Sequence, residues 1–465
     1  MNRQSRHPLS DTMPARSAET QRHGCEAPAS EHDGRMADAV AAPPAASSAP
    51  EASTRRATRM TLVLLVAMNG IAPISLYMLV PVLPHLATLF SEDISVAQLT
   101  SSLFMVGLAF SQLVMGPLSD RFGRRPVLLC SFALVVVANV GCIFAQTLPQ
   151  LIAGRFLQAI GGATGMVLSR AIVRDIYHRN KVGGMISLVI AVMMIAQMLS
   201  PVCGGLLDAW FGWRSIFYVM AAVTTLTIVA ILLALPETRP VAAPGAATGF
   251  VEDVRALGGN PAFIGYVTCQ MLASAIIFTF AGGGPYLVIN AMGRSPTEYG
   301  AWFASSGLAY MIGNLVSVRL SPRYGLDRMI WLGLAIQISG AVLNTIFGFT
   351  GINQQPSWLY GTHMIIMFGN AFAMANASAG AISVRPQAAG TASGAMGFLQ
   401  MGFGALCSQL GGYLGGHFVT PLALNLAILA LSMSCAAVIV GLVPAFRSSQ
   451  YDAATFSRTS KSKGH

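Results

Sequence analysis

The stretch G-P-L-S-D-R-F-G-R-R, from Gly116 to Arg125, lies between two long apolar runs and decides the fold. It opens with a glycine and a proline, carries one acid at Asp120 and has a turn residue at Gly123. Its basic residues are Arg121, Arg124 and Arg125. A short, charged hinge of this kind is typical of a turn between two membrane helices, and the arginines predict that it lies in the cytoplasm.

The composition of the whole chain indicates a membrane protein with many spans. Of its 465 residues, 54% are hydrophobic and only 10% are charged, whereas soluble domains carry about 25% charged residues. The mean hydropathy is +0.60. A helix needs about 20 apolar residues to cross a bilayer, and twelve segments of roughly that length can be found. They are Met60–Pro84, Val96–Leu118, Pro126–Ala145, Leu148–Ala171, Val182–Gly205, Trp213–Leu235, Ala262–Gly283, Tyr299–Val318, Met329–Phe349, Trp358–Ala379, Ala388–Leu410 and Val419–Pro444.

The segments predict an all-α integral membrane protein, with twelve transmembrane helices in two six-helix halves around a central cavity. We place the first half at residues 60–236 and the second half at 261–446, with a cytoplasmic linker at 237–260. Residues 1–59 are rich in Ala, Pro and Ser and contain no apolar run, so that a disordered tail is expected there. Residues 447–465 are expected to form a cytoplasmic tail.

The distribution of basic residues predicts the orientation in the membrane. Thirteen basic residues fall in the loops that would be cytoplasmic if both termini were inside, while the opposite loops carry only Arg214 and Arg294. Because basic residues in short loops stay in the cytoplasm, this asymmetry places both termini inside. The net charge of +10 is therefore mainly an orientation signal, and nucleic-acid binding is not expected.

A faint internal repeat supports two related halves. L-S-P-V-C-G-G at Leu199–Gly205 shares its leucine and its Gly-Gly pair with L-C-S-Q-L-G-G at Leu406–Gly412. Gly162 matches Gly369 at the same offset of 207 residues. Parallel halves of this kind form a substrate cavity at their interface.

Several further motifs accompany the hinge. They are R-F-L-Q-A-I-G-G-A-T-G-M-V at Arg155–Val167, S-R-A-I-V-R-D at Ser169–Asp175, S-P-V-C-G-G at Ser200–Gly205, W-F-G-W-R-S-I-F at Trp210–Phe217 and A-G-T-A-S-G at Ala389–Gly394. With these motifs the chain, from about Met60 to Arg447, resembles a major facilitator superfamily carrier of the Bcr/CflA group of drug efflux proteins. The resemblance implies alternating access by rocking of the halves and proton-driven export of drug-like compounds across a bacterial inner membrane. It also implies a monomer whose partners are a small-molecule substrate, the lipid bilayer and protons.

The hinge can act as a conformational latch, as the resemblance implies. Asp120 at a helix end can pair with the neighbouring arginines and face the positive end of a helix. The residues of this predicted latch are Gly116, Asp120, Arg121, Gly123, Arg124 and Arg125. The alternative is a fixed topological anchor.

Arg155 is the one basic residue placed well inside an apolar segment, where a charge is costly and usually paired or functional. With Gln158, it is a candidate for coupling or substrate contact, as the family implies, and binding to backbone carbonyls is the structural alternative. Pro201, Gly204 and Gly205 predict a kinked, closely packed helix, because proline removes a backbone hydrogen bond and glycine removes the side chain. That helix serves packing alone or seals the cavity.

The expected proton carrier is missing. The Bcr/CflA pattern has an acid four positions before the first proline of P-x-L-P, and here Tyr77 precedes P-V-L-P at Pro81–Pro84. A phenol has an ordinary pKa of about 10, so that Tyr77 is expected to contact substrate rather than carry protons. Other candidate carriers are His363, an imidazole with an ordinary pKa of about 6.5, or the outer-end acids Asp208 and Glu298. Two alternatives remain. Either the substrate itself carries the coupling charge, or the protein is a facilitator.

Polar and aromatic residues on the helices that the family places around the cavity are candidates for substrate binding. They are Gln197, Gln270, Phe278, Asn370, Asn376 and Gln400. Amide side chains can equally bridge neighbouring helices.

The chain shows no phosphate-binding loop, zinc-ligand spacing or nucleophile elbow. No cofactor, metal or catalytic residue is therefore expected, and an ATP-driven pump or a membrane enzyme is not supported. A secondary transporter is the interpretation. The alternatives are an exporter or facilitator of a small neutral or anionic metabolite, and a membrane sensor that kept the carrier fold without transport.

The orientation can be tested by labelling introduced cysteines from outside intact cells. We expect a membrane-impermeant maleimide to react with a cysteine placed beside Arg294 and not with one beside Arg323. Labelling beside Arg323 would contradict the twelve-span topology.

Overall fold

The computed structural model describes residues 49–176, 179–238, 255–385, 388–418 and 420–442. Within these ranges the chain forms twelve long helices and no β-strand. Numbered in chain order, they are α1 Ala49–Leu79, α2 Ile94–Phe122, α3 Arg124–Ile143, α4 Leu148–Ile176, α5 Arg179–Phe211, α6 Arg214–Ala234, α7 Pro261–Pro285, α8 Pro296–Tyr324, α9 Leu326–Thr350, α10 Pro356–Val384, α11 Ala389–His417 and α12 Leu422–Leu442.

These helices coincide with the predicted spans, which confirms the all-α membrane fold. Among the described helices, eleven are long and apolar enough to cross a membrane. The remaining one, α11, lies at the expected eleventh span and is rich in glycine, which contributes no apolar side chain.

Helix α1 begins at Ala49, so that residues 49–59 are helical and do not belong to the predicted disordered tail. The segment just before Met60 contains alanine, glutamate and arginine, which are strong helix formers. The rest of the predicted tail, at 1–48, most of the linker, at 239–254, and the chain from residue 443 onward lie outside the described residues.

The first helix of each half changes its geometry near the end that the charge pattern predicts to be external, which we call the outer end. After α1, a 3₁₀ turn at Val80–Val82 contains Pro81 and leads into a short helix at Leu83–Leu89. Helix α7 ends at Pro285 and continues as a π-helix over Tyr286–Ala291. Proline cannot donate a backbone hydrogen bond, which favours such departures from regular α-helix.

The two halves meet through the second and fifth helix of each. Helix α2 packs against α11, and α5 packs against α8. Exchanging the halves exchanges these two contacts, so that the arrangement has the approximate two-fold symmetry expected of duplicated halves. We call the contacts at the outer end of the four helices the outer seam; α2 also contacts α11 farther from this end, where a Cβ atom on Gly394 would lie 3.9 Å from the carbonyl oxygen of Gln112.

The repeated Gly-Gly pairs allow each fifth helix to approach the first helix of its own half. A Cβ atom on Gly204 would meet the carbonyl oxygen of Met78 in α1. A Cβ atom on Gly411, the equivalent residue in the second half, would meet the carbonyl oxygen of Thr279 in α7. Only glycine fits at either position, which supports the predicted close packing at Gly204.

The second glycine of each pair faces the opposite half. A Cβ atom on Gly205 would lie 2.8 Å from the backbone nitrogen of Thr297 in α8, and one on Gly412 would lie 2.6 Å from Cγ of Gln98 in α2. The Gly-Gly repeat is therefore part of the outer seam. Gly162 and Gly369 are not equivalent in this way, because Gly162 faces α1 whereas Gly369 faces α9.

Neutral hydrogen bonds also cross the outer seam between α2 and α11. Gln98 Nε2 donates to Ser408 Oγ over 2.9 Å, and Ser102 Oγ donates to Gln409 Oε1 over 2.9 Å. Gln409 Nε2 donates to the carbonyl oxygen of Ser95 over 2.7 Å. These bonds join the halves without a buried charge.

A valine at Gly300 should force the outer seam apart. A Cβ atom there would lie 2.6 Å from the backbone nitrogen of Val202 in α5, so that α5 and α8 could not keep their spacing. We expect Gly300→Val to increase the rate at which an external maleimide labels a cysteine introduced at Thr297. The matched control is Gly141→Val, because a Cβ atom on Gly141 meets no atom within 4 Å. Equal labelling rates in the two variants would show that Gly300 does not set the seam.

Candidate functional site

The predicted latch is built around a tight turn between α2 and α3. Gly123 ends α2 with φ of 99°, a conformation that favours glycine. A Cβ atom on it would also lie 2.8 Å from Oε2 of Glu237, which follows α6. Glycine at this position therefore gives both the turn and the space for a carboxylate.

Glu237 caps the first turn of α3. Its two carboxylate oxygens accept hydrogen bonds from the backbone nitrogens of Arg124, over 2.9 Å, and Arg125, over 3.1 Å. A negative charge is stabilised at the N-terminus of a helix, where backbone N–H groups have no partner within the helix. The Arg125 guanidinium donates to the carbonyl oxygen of Leu232 over 2.8 Å. The turn is thus fastened to the end of α6.

Arg124 lies at the centre of the charged network. It donates to Asp120 Oδ1 over 2.5 Å, to Ser119 Oγ over 2.6 Å and to Asp175 Oδ2, at the end of α4, over 3.3 Å. The side chains of Arg124 and Asp175 are each 11% exposed, whereas that of Asp120 is 66% exposed. The Arg121 guanidinium lies over the ring of Phe122, 5.3 Å from its centroid. The burial identifies Arg124 and Asp175, rather than Asp120, as the inner pair.

Asp175 and Glu237 were not predicted as members of this cluster. Asp175 was quoted only as part of a motif, and Glu237 was assigned to a loose linker. Both are acids at ends of apolar segments that the charge pattern predicts to be cytoplasmic, in a chain with only eighteen acids. Their position at these ends was the feature of the sequence from which the cluster could have been predicted. We call Asp120, Gly123, Arg124, Asp175 and Glu237 the loop cluster.

The second half has a similar turn with different side chains around it. The segment S-P-R-Y-G-L-D-R at Ser321–Arg328 places Pro322 where the first half has Asp120. Gly325 has φ of 81° and separates α8 from α9, as Gly123 separates α2 from α3. Here Asp327 accepts a hydrogen bond from the Tyr266 hydroxyl over 2.7 Å.

Arg155 is buried among four helices. It is 1% exposed, and its NH1 donates to Ser75 Oγ in α1 over 2.8 Å and to Gln158 Oε1 over 2.5 Å. Gln158 Nε2 donates to Asn139 Oδ1 in α3 over 2.9 Å. The guanidinium carbon lies 4.0 Å from the centroid of the Phe104 ring in α2. Hydroxyl, amide and aromatic groups therefore hold this charge.

Among the described residues, Nε and NH2 of Arg155 have no hydrogen-bond partner. Such donors are costly to bury unless something pairs with them. Arg155 thus joins neighbouring helices through NH1 and keeps two nitrogen donors without a described partner. The side-chain contacts differ from the backbone carbonyls that were the predicted structural alternative.

Tyr77 and His363 lie in the outer half of the bundle but do not touch the same partners. Tyr77 is 5% exposed and has its ring centroid 5.5 Å from that of Phe303. His363 is 2% exposed and stacks on Phe280 at 3.5 Å, and within the described part of the chain its Nδ1 has no partner. Tyr77 thus joins α1 to the second half, whereas His363 belongs to the second half alone.

Three of the predicted cavity amides bridge helices of the second half. Gln270 Nε2 donates to Gln400 Oε1 over 3.1 Å, which joins α7 to α11. Asn370 Nδ2 donates to the carbonyl oxygen of Ala273 over 2.7 Å and to Gln337 Oε1 over 3.1 Å. These bonds favour a structural role for Asn370, whereas Gln400 remains partly exposed.

Asn376 also serves the packing of α8 on α10. Its Nδ2 donates to Ser317 Oγ over 2.9 Å, and its Oδ1 accepts from Ser321 Oγ over 2.7 Å. Phe278, in contrast, lies between the halves, because it lines one small pocket together with Tyr77. Tyr77 and Phe278 remain the cavity candidates that the structure brings together.

Two pairs of histidine and carboxylate lie at the outer end. His85 Nδ1 is 3.0 Å from Asp208 Oδ2, and the Asp208 side chain is only 6% exposed. His417 Nε2 is 3.9 Å from Asp93 Oδ2, which joins the two halves. Hydrogen bonds from Ser95 hold the pKa of Asp93 below its ordinary value. Neither histidine was among the predicted site residues.

Comparison with known proteins assigns this architecture to a family. The family model described as Major Facilitator Superfamily matches residues 65–408. The chain is 28% identical to a chloramphenicol resistance protein of Pseudomonas aeruginosa over 404 residues, which are 84% of this chain and 93% of the relative. It is 30% identical to the multidrug resistance protein MdtL of Escherichia coli over 326 residues, which are 69% of this chain and 80% of the relative.

The fold also resembles a solved structure. A crystal structure of a bacterial homologue of the human lysosomal transporter Spinster, in an inward-facing and unoccupied conformation, superposes with a TM-score of 0.62. The alignment covers 86% of this chain and 96% of that one at 17% sequence identity.

The loop cluster predicts different outcomes for two substitutions. Asp120→Asn removes an exposed ion pair, which typically contributes less than about 1 kcal/mol, so that the protein should fold and insert normally while transport falls sharply. Arg124→Ala leaves Asp175 buried without its partner, which typically costs about 3–5 kcal/mol, so that the yield of folded protein should fall. Thermal unfolding in detergent measures the stability of both variants, and uptake into proteoliposomes measures their transport. An Asp120→Asn variant that transports like the parent would contradict the latch.

Proposed function

Because the chain belongs to the major facilitator superfamily, we propose that it is a secondary transporter that exports drug-like or other small organic compounds across the inner membrane by alternating access. It is a multi-pass membrane protein with relatives named for drug and multidrug resistance, which agrees with the resemblance to the Bcr/CflA group. The observation that carries the proposal is the outer seam, where two symmetric contacts close the halves over a pocket lined by Tyr77 and Phe278.

The chemistry of the outer seam supports alternating access. Its helices touch through glycines at Gly205, Gly300 and Gly412, and the hydrogen bonds across it are mostly neutral. Rocking the halves apart at this end breaks short neutral bonds and exposes small residues, so that no buried charge has to be uncovered. The loop cluster lies at the opposite end of α2, where it stabilises one arrangement of the helices.

Proton coupling is assigned to the outer end rather than to Tyr77. Among the described residues of the spans, the carboxylate that is both buried and paired at this end is Asp208, whose partner is His85 at 3.0 Å. Histidine is the side chain whose ordinary pKa lies nearest to physiological pH, which makes a histidine paired with a carboxylate a candidate carrier of the coupling proton. Glu298 is less suited, because its side chain is 38% exposed. Tyr77 and Gln197 are assigned to substrate contact.

An exporter or facilitator of a small neutral or anionic metabolite, without proton coupling, is the second candidate. It is favoured by Arg155, a buried cation whose described hydrogen-bond partners include no carboxylate. Under this reading the substrate interacts with the unused donors of Arg155 and does not require a proton.

Proteoliposomes with an imposed pH gradient test the coupling. With chloramphenicol as the substrate, we expect Asp208→Asn to abolish stimulation by the gradient while passive exchange continues. Glu298→Gln is the matched control and should keep the stimulation. Tyr77→Phe removes one hydrogen bond, typically about 0.5–1.5 kcal/mol, so that the affinity should change by about two- to tenfold and the gradient dependence should remain.

Two results would contradict this assignment. If Tyr77→Phe alone abolishes gradient-driven uptake but preserves exchange, Tyr77 takes part in coupling. If an imposed pH gradient changes transport neither by the parent protein nor by any of the variants, the uncoupled facilitator is the correct reading.

A further inference from the structure

The turn between α8 and α9 carries exposed arginines at the end of the bundle opposite the outer seam. Arg319 and Arg323 lie in the last part of α8, and Arg328 lies in the first turn of α9. All three residues are exposed. We call these three residues the basic turn.

The arginines of the basic turn have no partner within the described residues, where none of them makes a hydrogen bond or an ion pair. Asp327 lies beside Arg328, but its carboxylate accepts a hydrogen bond from the hydroxyl of Tyr266 in α7. Arg124 of the loop cluster is different, because it donates to two carboxylates. The basic turn therefore presents guanidinium groups whose donors are available to an acceptor outside the described residues.

Helical geometry places Arg319 and Arg323 on the face of α8 that is turned away from the bundle. Ser321 Oγ donates to Asn376 Oδ1 in α10, so that Ser321 faces the neighbouring helix. Successive residues of an α-helix are turned by about 100°, and a residue two positions away therefore lies about 200° around the axis. Because Arg319 and Arg323 each lie two positions from Ser321, they project away from α10.

The same outward face of α8 is apolar along the rest of the helix. Leu308, Ile312 and Leu315 are 44%, 44% and 59% exposed. They precede Arg319 at the spacing of three and four residues that a single helical face requires. An exposed apolar face on a helix that is long enough to cross a bilayer faces lipid. Arg319 and Arg323 therefore lie where this lipid-facing surface ends, at the level of the headgroups.

Helix α9 begins with the same arrangement in the reverse order. Arg328 is followed on one face by Trp331 and Leu332, which are 37% and 44% exposed. Tyr324, at the end of α8, is 55% exposed. Exposed tryptophan and tyrosine side chains are enriched at the level of the lipid headgroups. Two lipid-facing helices thus bring their arginines together at one turn, beside aromatic side chains.

We propose that the basic turn binds the phosphate of an anionic phospholipid headgroup. Guanidinium groups bind phosphate oxygens through paired, charge-assisted hydrogen bonds, and basic side chains clustered beside a membrane span attract anionic lipids. The apolar faces of α8 and α9 select a lipid over a soluble phosphate, because the acyl chains of the same molecule lie along them. A zwitterionic headgroup carries its own cation, which opposes binding to three arginines.

Helix α8 connects the basic turn with the outer seam. It runs as one α-helix from Pro296 to Tyr324, and near its other end a Cβ atom on Gly300 would meet the backbone of Val202 in α5. A bound headgroup holds one end of α8 at the membrane surface. The lipid and the outer seam therefore act on the same helix.

Trp331 makes lipid binding at the basic turn observable, because it lies three residues from Arg328. The other tryptophans of the chain lie at the outer end, namely Trp210, Trp213, Trp302 and Trp358. The full-length protein is reconstituted into phosphatidylcholine nanodiscs that contain increasing fractions of brominated phosphatidylglycerol or brominated phosphatidylcholine. Bromine quenches tryptophan fluorescence on contact, and the quenching that disappears in Trp331→Phe is the signal from the basic turn.

We expect half-maximal quenching of Trp331 at a fraction of brominated phosphatidylglycerol at least about tenfold below that of brominated phosphatidylcholine. Arg323→Gln should reduce this preference by about two- to fivefold, and replacing all three arginines of the basic turn with glutamine should abolish it. The matched control is Arg255→Gln. Arg255 is also exposed and lies at the same end of the bundle, but it precedes the buried helix α7, so that its loss should leave the preference unchanged.

Equal quenching by the two lipids in the parent would overturn the proposal, as would an equal loss of preference in Arg255→Gln and Arg323→Gln. Relief of the quenching by an excess of soluble glycerol phosphate would show a site for free phosphate and would also overturn it. If the triple variant does not fold, Arg323→Gln decides the test. The measurement requires no transported substrate, so that its result is independent of the proposed transport function.

Discussion

Inside the hydrocarbon core of a bilayer no water is available to polar groups, so that each buried group needs a partner within the protein or its ligand. In this chain the requirement acts most strongly on Arg155, which gathers Ser75, Gln158 and the ring of Phe104 around one guanidinium. Asn370 satisfies it by donating to a backbone carbonyl of a neighbouring helix. Four helices of the first half are consequently fixed around Arg155, and amides do the same for the second.

The cost of polar groups in lipid also explains how the halves can separate. A seam joined by buried ion pairs would leave charges without partners whenever it opened. This seam uses glycine contacts, such as Gly205 on Thr297, and neutral bonds, such as Gln98 to Ser408. The charged pair that joins the halves at this end, His417 with Asp93, is accessible to water. Stability within each half and mobility between the halves therefore come from different kinds of contact.

The sequence predicted the features that depend on local composition. Twelve apolar segments predicted the helices, and the Gly-Gly repeat predicted two related halves. It could not supply the partners of the loop cluster, because Glu237 lies 113 residues from Arg124 and Asp175 lies 51 residues from it. The hydrogen bond of Gln98 to Ser408 joins residues 310 apart. Such pairs depend on how the helices are arranged, which apolar periodicity does not determine.

Some residues that were predicted from polarity alone to line the cavity instead bridge helices. The reason is the same, because polarity does not determine how the helices are arranged. Asn370 and Asn376 are used in helix bridges, and Gln98 likewise joins α2 to α11, although among the described residues one oxygen each of Asn370 and Gln98 has no partner. Polarity within a span shows that a partner is needed. It does not show whether the partner is another helix or a ligand.

The difference between the two hinges indicates what the loop cluster does. Gly123 and Gly325 make similar turns, with φ of 99° and 81°, so that the charges around the first are not required for the turn itself. They instead connect the start of α3 with the ends of α4 and α6 through Asp175 and Glu237. Helix α2 leads directly into this network and reaches the outer seam at its other end. A tilt of α2 that opens the seam must therefore move Ser119 and Asp120 relative to Arg124, which makes the turn after α2 a charged hinge in the first half.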